Sequence, residues 1–302
     1  MRQTGWVSEL EDRVEDFLRA PVAAAVLVLA DRAGLYVEDL GDSATLSALA
    51  ATAMGYLSPW NGGEPAAGVR ERALALARPL RDLATDVLAD PRNTWWAAPL
   101  DRSAQLLLTD TDTDPMDVAQ PEGPNQDWEV YAQKPVRHLT TSTELPGRPA
   151  DAFIQSGAHA ELACGGGDWI PAYPLHQVRL LVGASARVYE VHSPADWHAL
   201  VLRYADLFTH PSPDAGLLSI GGIDHGPAPT WSAAAEDLDG IHVSLSGLLT
   251  ASYVPFTSDG ITTTLWAWDF ECTRWLRSVF TAAEPVPDLL ESPRDPGYHH
   301  QW

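Results

Sequence analysis

Apolar positions in the first ninety residues recur at helical spacing. Val7, Leu10, Val14, Phe17 and Leu18 mark a helix over residues 6–19, which Pro21 ends. Residues 22–33 are helix-prone and apolar nearly all round, which predicts a central helix with Gly34 as its C-terminal cap. A third helix, capped by Asp42 or Ser43, is expected to run to about Tyr56, and residues 58–68 are a loop by their proline and glycine content. Val69, Ala73, Leu76, Leu80, Leu83 and Val87 carry the helical pattern on to the stop at Asp90-Pro91, with Pro79 predicted to kink or split it.

The period changes beyond residue 128. Residues 140–143 are β-prone, and 177–182 and 187–191 read as strands joined by a turn at Gly183-Ala184-Ser185. Ser193, Pro194 and Asp196 spell a helix start: a hydroxyl cap, proline at the first position and an acid at the third. That helix turns Trp197, Leu200, Val201 and Tyr204 inward. Residues 206–230 are loop-rich and 231–237 are a short helix. Ile241, Val243 and Leu245 alternate as a strand, leaving His242, Ser244 and Ser246 on its other face, and 261–268 is a further strand. Cys272, Trp275, Leu276, Val279 and Phe280 return to helical spacing and predict a last helix from Asp269 to about Ala282.

These elements make an α+β protein, an all-helical N-terminal layer packed on a C-terminal mixed or antiparallel sheet with flanking helices. The expected divisions are a helical region over 1–108, an acidic linker over 109–127, an α+β domain carrying the site over 128–284, and a proline-rich tail over 285–302.

Charge narrows the partners. A net charge of −22 over 302 residues repels phosphate backbones and anionic lipid, so nucleic acid and membrane surfaces are disfavoured. A small molecule or a basic protein remains. The apolar run over 21–30 is too short to span a bilayer, no signal-peptide core is visible, and Cys164 and Cys272 form no CxxC, so a cytoplasmic setting is expected. Of the 19 basic residues only Lys134 is a lysine.

Walker, GxSxG and HExxH motifs are absent, and no GxGxxG follows a strand. The acidic run at Asp110, Asp112 and Asp114 lacks the glycine and terminal glutamate of a calcium loop, so no metal is expected. Candidate chemistry gathers in three places. Lys134, Arg137 and His138, followed by Ser142, could hold an anion, and a desolvated Lys134 could act as a nucleophile. Glu129 stands beside Trp128, whose ring would raise a carboxyl pKa and suit it to general acid/base work. Glu271 would close a strand and face a cleft lined by Trp266 and Trp268. Arg102 completes the set, at the rim of an aromatic wall of Trp95 and Trp96. Each has a plainer reading: a basic run neutralised by the linker, an exposed glutamate, an acid on a helix dipole, and an aromatic corner of the core.

The succession KPVRHLTTST, ARVYEVHSPADWHALVLRY, DLDGIHVSLSGLL and LWAWDFECTRWL resembles a set of actinobacterial and phage proteins over about residues 128–280. The order of strands and helices also resembles ADP-ribosyltransferases. That resemblance implies NAD as cosubstrate, Arg137 or His138 on an early strand, the Thr141-Ser142-Thr143 run, and Glu271 as catalytic glutamate. The chain departs from the pattern in having the hydroxyls close behind the basic residue and no Glu-x-Glu or Gln-x-Glu that ends at Glu271. A third resemblance, to bacterial Pictet–Spengler enzymes that build β-carbolines from tryptophan, implies Glu129 as base and Arg102 among Trp95, Trp96 and Trp128.

The reading favoured is an enzyme acting on a small anionic or aromatic metabolite by general acid/base chemistry, a condensation or group transfer that needs no cofactor. It is compatible with a homodimer. The alternatives are an NAD-using transferase and an acidic antidote that binds a basic protein.

Overall fold

The computed structural model describes residues 3–57, 66–103, 105–109, 139–142, 175–205, 226–266, 268, 270–277 and 279–289. The helical layer comprises α1 (Gln3–Arg19), α2 (Pro21–Arg32), α3 (Val37–Leu40), α4 (Ser43–Leu57), α5 (Ala66–Ala77) and α6 (Arg81–Ala89). Pro21 both ends α1 and opens α2, where its missing N–H costs nothing. Every residue of α2 from Pro21 to Ala30 is buried, as its all-round apolar sequence requires. Gly34, at φ 67°, closes it: Leu35 N–H donates to Ala30 O and Gly34 N–H to Asp31 O, the double bond of a Schellman cap. Asp42 caps α4 by accepting the Thr45 N–H and hydroxyl. Pro79 splits α5 from α6 through a single 3-10 turn, Arg78–Leu80.

A second 3-10 segment, Pro91–Ala97, carries Trp95 and Trp96 into the core, where Trp96 stacks on Phe17 at 6.0 Å. The aromatic wall expected there is core packing. Arg102 donates from Nη1 to Gly183 O at 3.2 Å.

The sheet is built from β1 (Gln105–Thr109), β2 (Leu139–Ser142), β3 (Leu175–Val182), β4 (Val188–Val191), β5 (Gly240–Val243), β8 (Cys272–Trp275) and β9 (Phe280–Leu289), in the order β4-β5-β8-β2-β1-β3-β9. The β4–β5 pair is parallel and the other pairs are antiparallel. Helices α7 (Pro194–Tyr204) and α8 (Trp231–Asp237) lie on the β4-to-β5 crossover that parallel pairing demands. Helix α9 (Leu245–Ala251) follows β5, and β6 (Pro255–Ser258) and β7 (Ile261–Thr264) form a separate hairpin.

Strands β3 and β4 do not pair, although only residues 183–187 join them. A flat sheet would hold them five spacings of ~4.8 Å apart, ~24 Å, whereas six residue steps reach ~21 Å even when extended. Here they are shortened further by a turn, with Ala186 N–H donating to Gly183 O. The sheet is therefore rolled. Trp275, Leu100, Val182 and Ala186 fill the fold of the roll, and Phe280 meets Trp275 edge-on at 5.1 Å.

The two faces of the roll are distinct. Tyr189, Val191, Ile241, Val243 and Cys272 belong to the large core shared with the helices, so one core joins both halves of the chain. Val188, Gly240 and Trp275 face inward, a Cβ at Gly240 falling 2.8 Å from the Trp275 ring. By alternation Glu190, His242 and Thr273 face inward with them.

The α+β expectation holds, and several local expectations are corrected. The last helix, from Asp269 to Ala282, does not form: Cys272–Trp275 is a central strand flanked by β5 and β2, and β9 follows it. Apolar spacing there fits either element, and pairing on both sides decides for the strand. Leu245 belongs to α9 and not to the preceding strand, because Ser244 caps that helix by accepting the Gly247 N–H. The strand expected over 261–268 ends at Thr264. At the expected boundaries, β1 lies across residue 108 and joins the sheet, and β9 continues to Leu289, its Pro285 and Pro287 tolerated because it is an edge strand.

Candidate functional site

The parallel pair places a glutamate and a histidine side by side. Glu190 of β4 is in register with His242 of β5, and His242 with Thr273 of β8. Val243 pairs with Cys272, so Glu271 lies just past the C-terminal end of β5. His242 is bracketed: Nδ1 is 2.5 Å from Glu190 Oε2 and Nε2 is 2.8 Å from Glu271 Oε1. The other oxygen of Glu190 accepts the backbone N–H of Leu100 at 3.1 Å, which ties the site to the end of the helical layer. Below it, Gln105 is fully buried; its Nε2 donates to Asp101 O and its Oε1 accepts the Thr273 hydroxyl.

Burial alone would push the His242 pKa down. The two carboxylates more than reverse that and lift it from 6.5 to about 9. With its pKa raised so far, the ring is an imidazolium at neutral pH and donates from both nitrogens. The His242 side chain is 2% exposed, while those of Glu190 and Glu271 are 25% and 17% exposed, so the cation is sealed and its partners reach solvent. Such a group can hold a carboxylate in one orientation and steady its charge while it gives or takes a proton. Both ring nitrogens are engaged, so His242 is not arranged as a metal ligand, and among the described residues no cluster of three His, Cys, Asp or Glu could hold a metal ion.

No family model, curated protein or solved structure matches the chain.

Of the residues singled out from sequence, Glu271 enters this site, as the residue before a strand and not at the start of a helix. Trp268 does not line a cleft with it. It is buried in the helix-facing core, edge-on to Trp197 at 6.3 Å, with the Arg274 guanidinium over its ring. Trp266 packs half-buried against the same core. Ser142 closes β2; the register Leu139–Arg274 and Thr140–Thr273, carried two residues on, brings it level with Glu271. Trp128, Glu129, Lys134, Arg137 and His138 lie outside the described residues. Glu190 was not singled out. Its signal was a charged side chain inside VYEV, in phase with Val188, where a buried strand should carry an apolar one.

The floor of the site depends on one close approach. A Cβ on Gly247 would stand 2.2 Å from Val191 O, so only glycine lets α9 seat against the end of β4. Gly247→Ala is expected to cost at least ~2 kcal/mol, seen as a lowered urea midpoint; an unchanged midpoint would mean that α9 sits elsewhere.

Among the described residues no helix is long and apolar enough to cross a membrane.

Proposed function

We propose that the chain is an enzyme that moves protons on a small molecule by general acid/base chemistry. Glu271 is the group that meets the substrate, His242 the charged partner that holds it, and Glu190 the positioning residue behind both. The reading is carried by one observation: a sealed histidine ring bracketed by two solvent-reaching carboxylates at the end of a parallel strand pair. A buried charge of this kind is expensive to keep for stability alone, since apolar residues of equal volume often serve as well. The reaction class in view is a condensation or group transfer on a small metabolite, aromatic or anionic. The sequence run Lys134, Arg137 and His138 supports the anionic class, since clustered cations favour a negatively charged ligand.

The test begins with a thermal-shift screen of NAD, tryptophan and small keto-acids, followed by turnover assays on whatever binds. Glu271→Gln keeps the shape and one hydrogen bond. It is expected to lower kcat by ~10²–10⁴-fold with an unchanged circular dichroism spectrum. Equal turnover by wild type and variant would end the reading and leave the trio as a structural clamp.

A further inference from the structure

Strands β4 and β5 carry a second matched pair just past the first. Ser244 N–H donates to Val191 O at 3.2 Å, so the ladder runs one residue beyond β5. Continued alternation puts His192 and Ser244 on the face of Glu190 and His242. His192 is fixed at three points. Its backbone N–H donates to Asp196 Oδ2 at 3.0 Å, its carbonyl accepts the Ser246 hydroxyl at 3.2 Å, and its ring Nδ1 lies 2.8 Å from Ser244 Oγ. Nε2 has no hydrogen-bond partner among the described residues, and the residue is half-buried. Neither of two other histidines is placed like this. His242 is held through both nitrogens by carboxylates, and His198 through both by Thr263 and Ser258.

The Ser244 hydroxyl bears on which nitrogen carries the hydrogen. The residue is 1% exposed, so its oxygen is satisfied within the protein. It has one proton and two lone pairs. The proton is donated to Val191 O at 3.3 Å, and one lone pair accepts the Gly247 N–H at 3.2 Å. The arrangement that satisfies all three contacts at once has the remaining lone pair accepting from His192 Nδ1, with Nδ1 the protonated nitrogen of the neutral ring. In that arrangement Nε2 keeps its lone pair, the reverse of the tautomer a free histidine side chain favours.

We propose that His192 is a second proton-transfer residue of this site, a general base that meets the substrate through Nε2. This rests on the acid/base reading of the Glu190–His242–Glu271 trio and adds to it the group that removes a proton while Glu271 supplies or receives another. A base presented beside a carboxylate of fixed orientation fits substrates that lose and gain protons at two atoms in one turnover, as in condensation at a carbonyl.

The resting protein supplies a test that needs no substrate. Long-range proton–nitrogen NMR at about pH 8 reads the tautomer of the neutral ring, and diethylpyrocarbonate at about pH 7, mapped by mass spectrometry, reads which imidazoles present an open nitrogen. The wild type is expected to show His192 protonated on Nδ1 and labelled at least ~10-fold faster than His198 and His242, because only an accessible, unprotonated nitrogen reacts. Ser244→Ala is expected to move the hydrogen to Nε2. An Nε2–H form in the wild type, or labelling of His192 no faster than of His198, overturns the proposal whether or not Ser244→Ala folds. With a substrate in hand, His192→Gln should lower kcat by ~10²-fold or more; an unchanged kcat also overturns it. Failure of Glu271→Gln to affect turnover strikes the proposed function instead, and the two results are read separately.

Discussion

His242→Ala is expected to destabilise the protein by ~3–5 kcal/mol at neutral pH, the cost of removing one partner from a buried ionic group and leaving the rest uncompensated. The size follows from what stays behind. Glu190 and Glu271 would face each other across the vacated space, and Glu190, still bound to the Leu100 N–H, could not swing clear without breaking that tie. Urea unfolding followed by circular dichroism measures the loss. The companion Glu190→Gln, which keeps a group able to accept the Leu100 N–H, should cost less. A His242→Ala protein within ~1 kcal/mol of wild type would mean that the bracket does not form, because surface ion pairs are worth no more than that.

A pH titration of stability should show the same group. His242 titrates at about 9 when folded and at 6.5 when unfolded. Below about 6.5 both states hold the proton and its contribution is complete; as pH rises through 9 the folded state gives up the proton last, and the contribution is lost. The raised pKa corresponds to about 3 kcal/mol lost between roughly pH 6.5 and 9. The midpoint of unfolding should fall across that window, and the fall should be absent in His242→Gln. A flat profile from pH 6.5 to 9 in the wild type would sink the assignment of an imidazolium.

How much of this was legible in the sequence depends on whether local pattern or long-range pairing decided the element. The N-terminal helices were readable because proline, cap and apolar stripe agree at each boundary: Pro21, Gly34, Asp42 and Pro79 all act where their chemistry says they must. Ser193 was readable for the same reason, its side chain accepting the Asp196 N–H. The last third was not, since Cys272–Trp275 is a strand only because residues 139–142 and 240–243 flank it. One local signal was there to be used. Asp259-Gly260, at φ 49° and 78°, is a tight hairpin turn joining β6 to β7. The site was half legible. Glu271 stood out by its neighbours, but its partner His242 lies 29 residues away and Glu190 a further 52, and no spacing rule joins groups that meet only through sheet register.

The position of β2 has a consequence for how the chain is made. Residues 139–142 sit in the middle of the sheet, with β1 on one side and β8, from residues 272–275, on the other. A ribosome delivers the first two of these long before the third. Until residues 271–275 emerge, β2 has an open edge, β5 lacks its inner neighbour, and the bracket around residue 242 is missing one arm. Closing such distant pairs is slow and exposes unpaired strands meanwhile. The nascent chain therefore completes neither the middle of its sheet nor the bracket around His242 until β8 has been made.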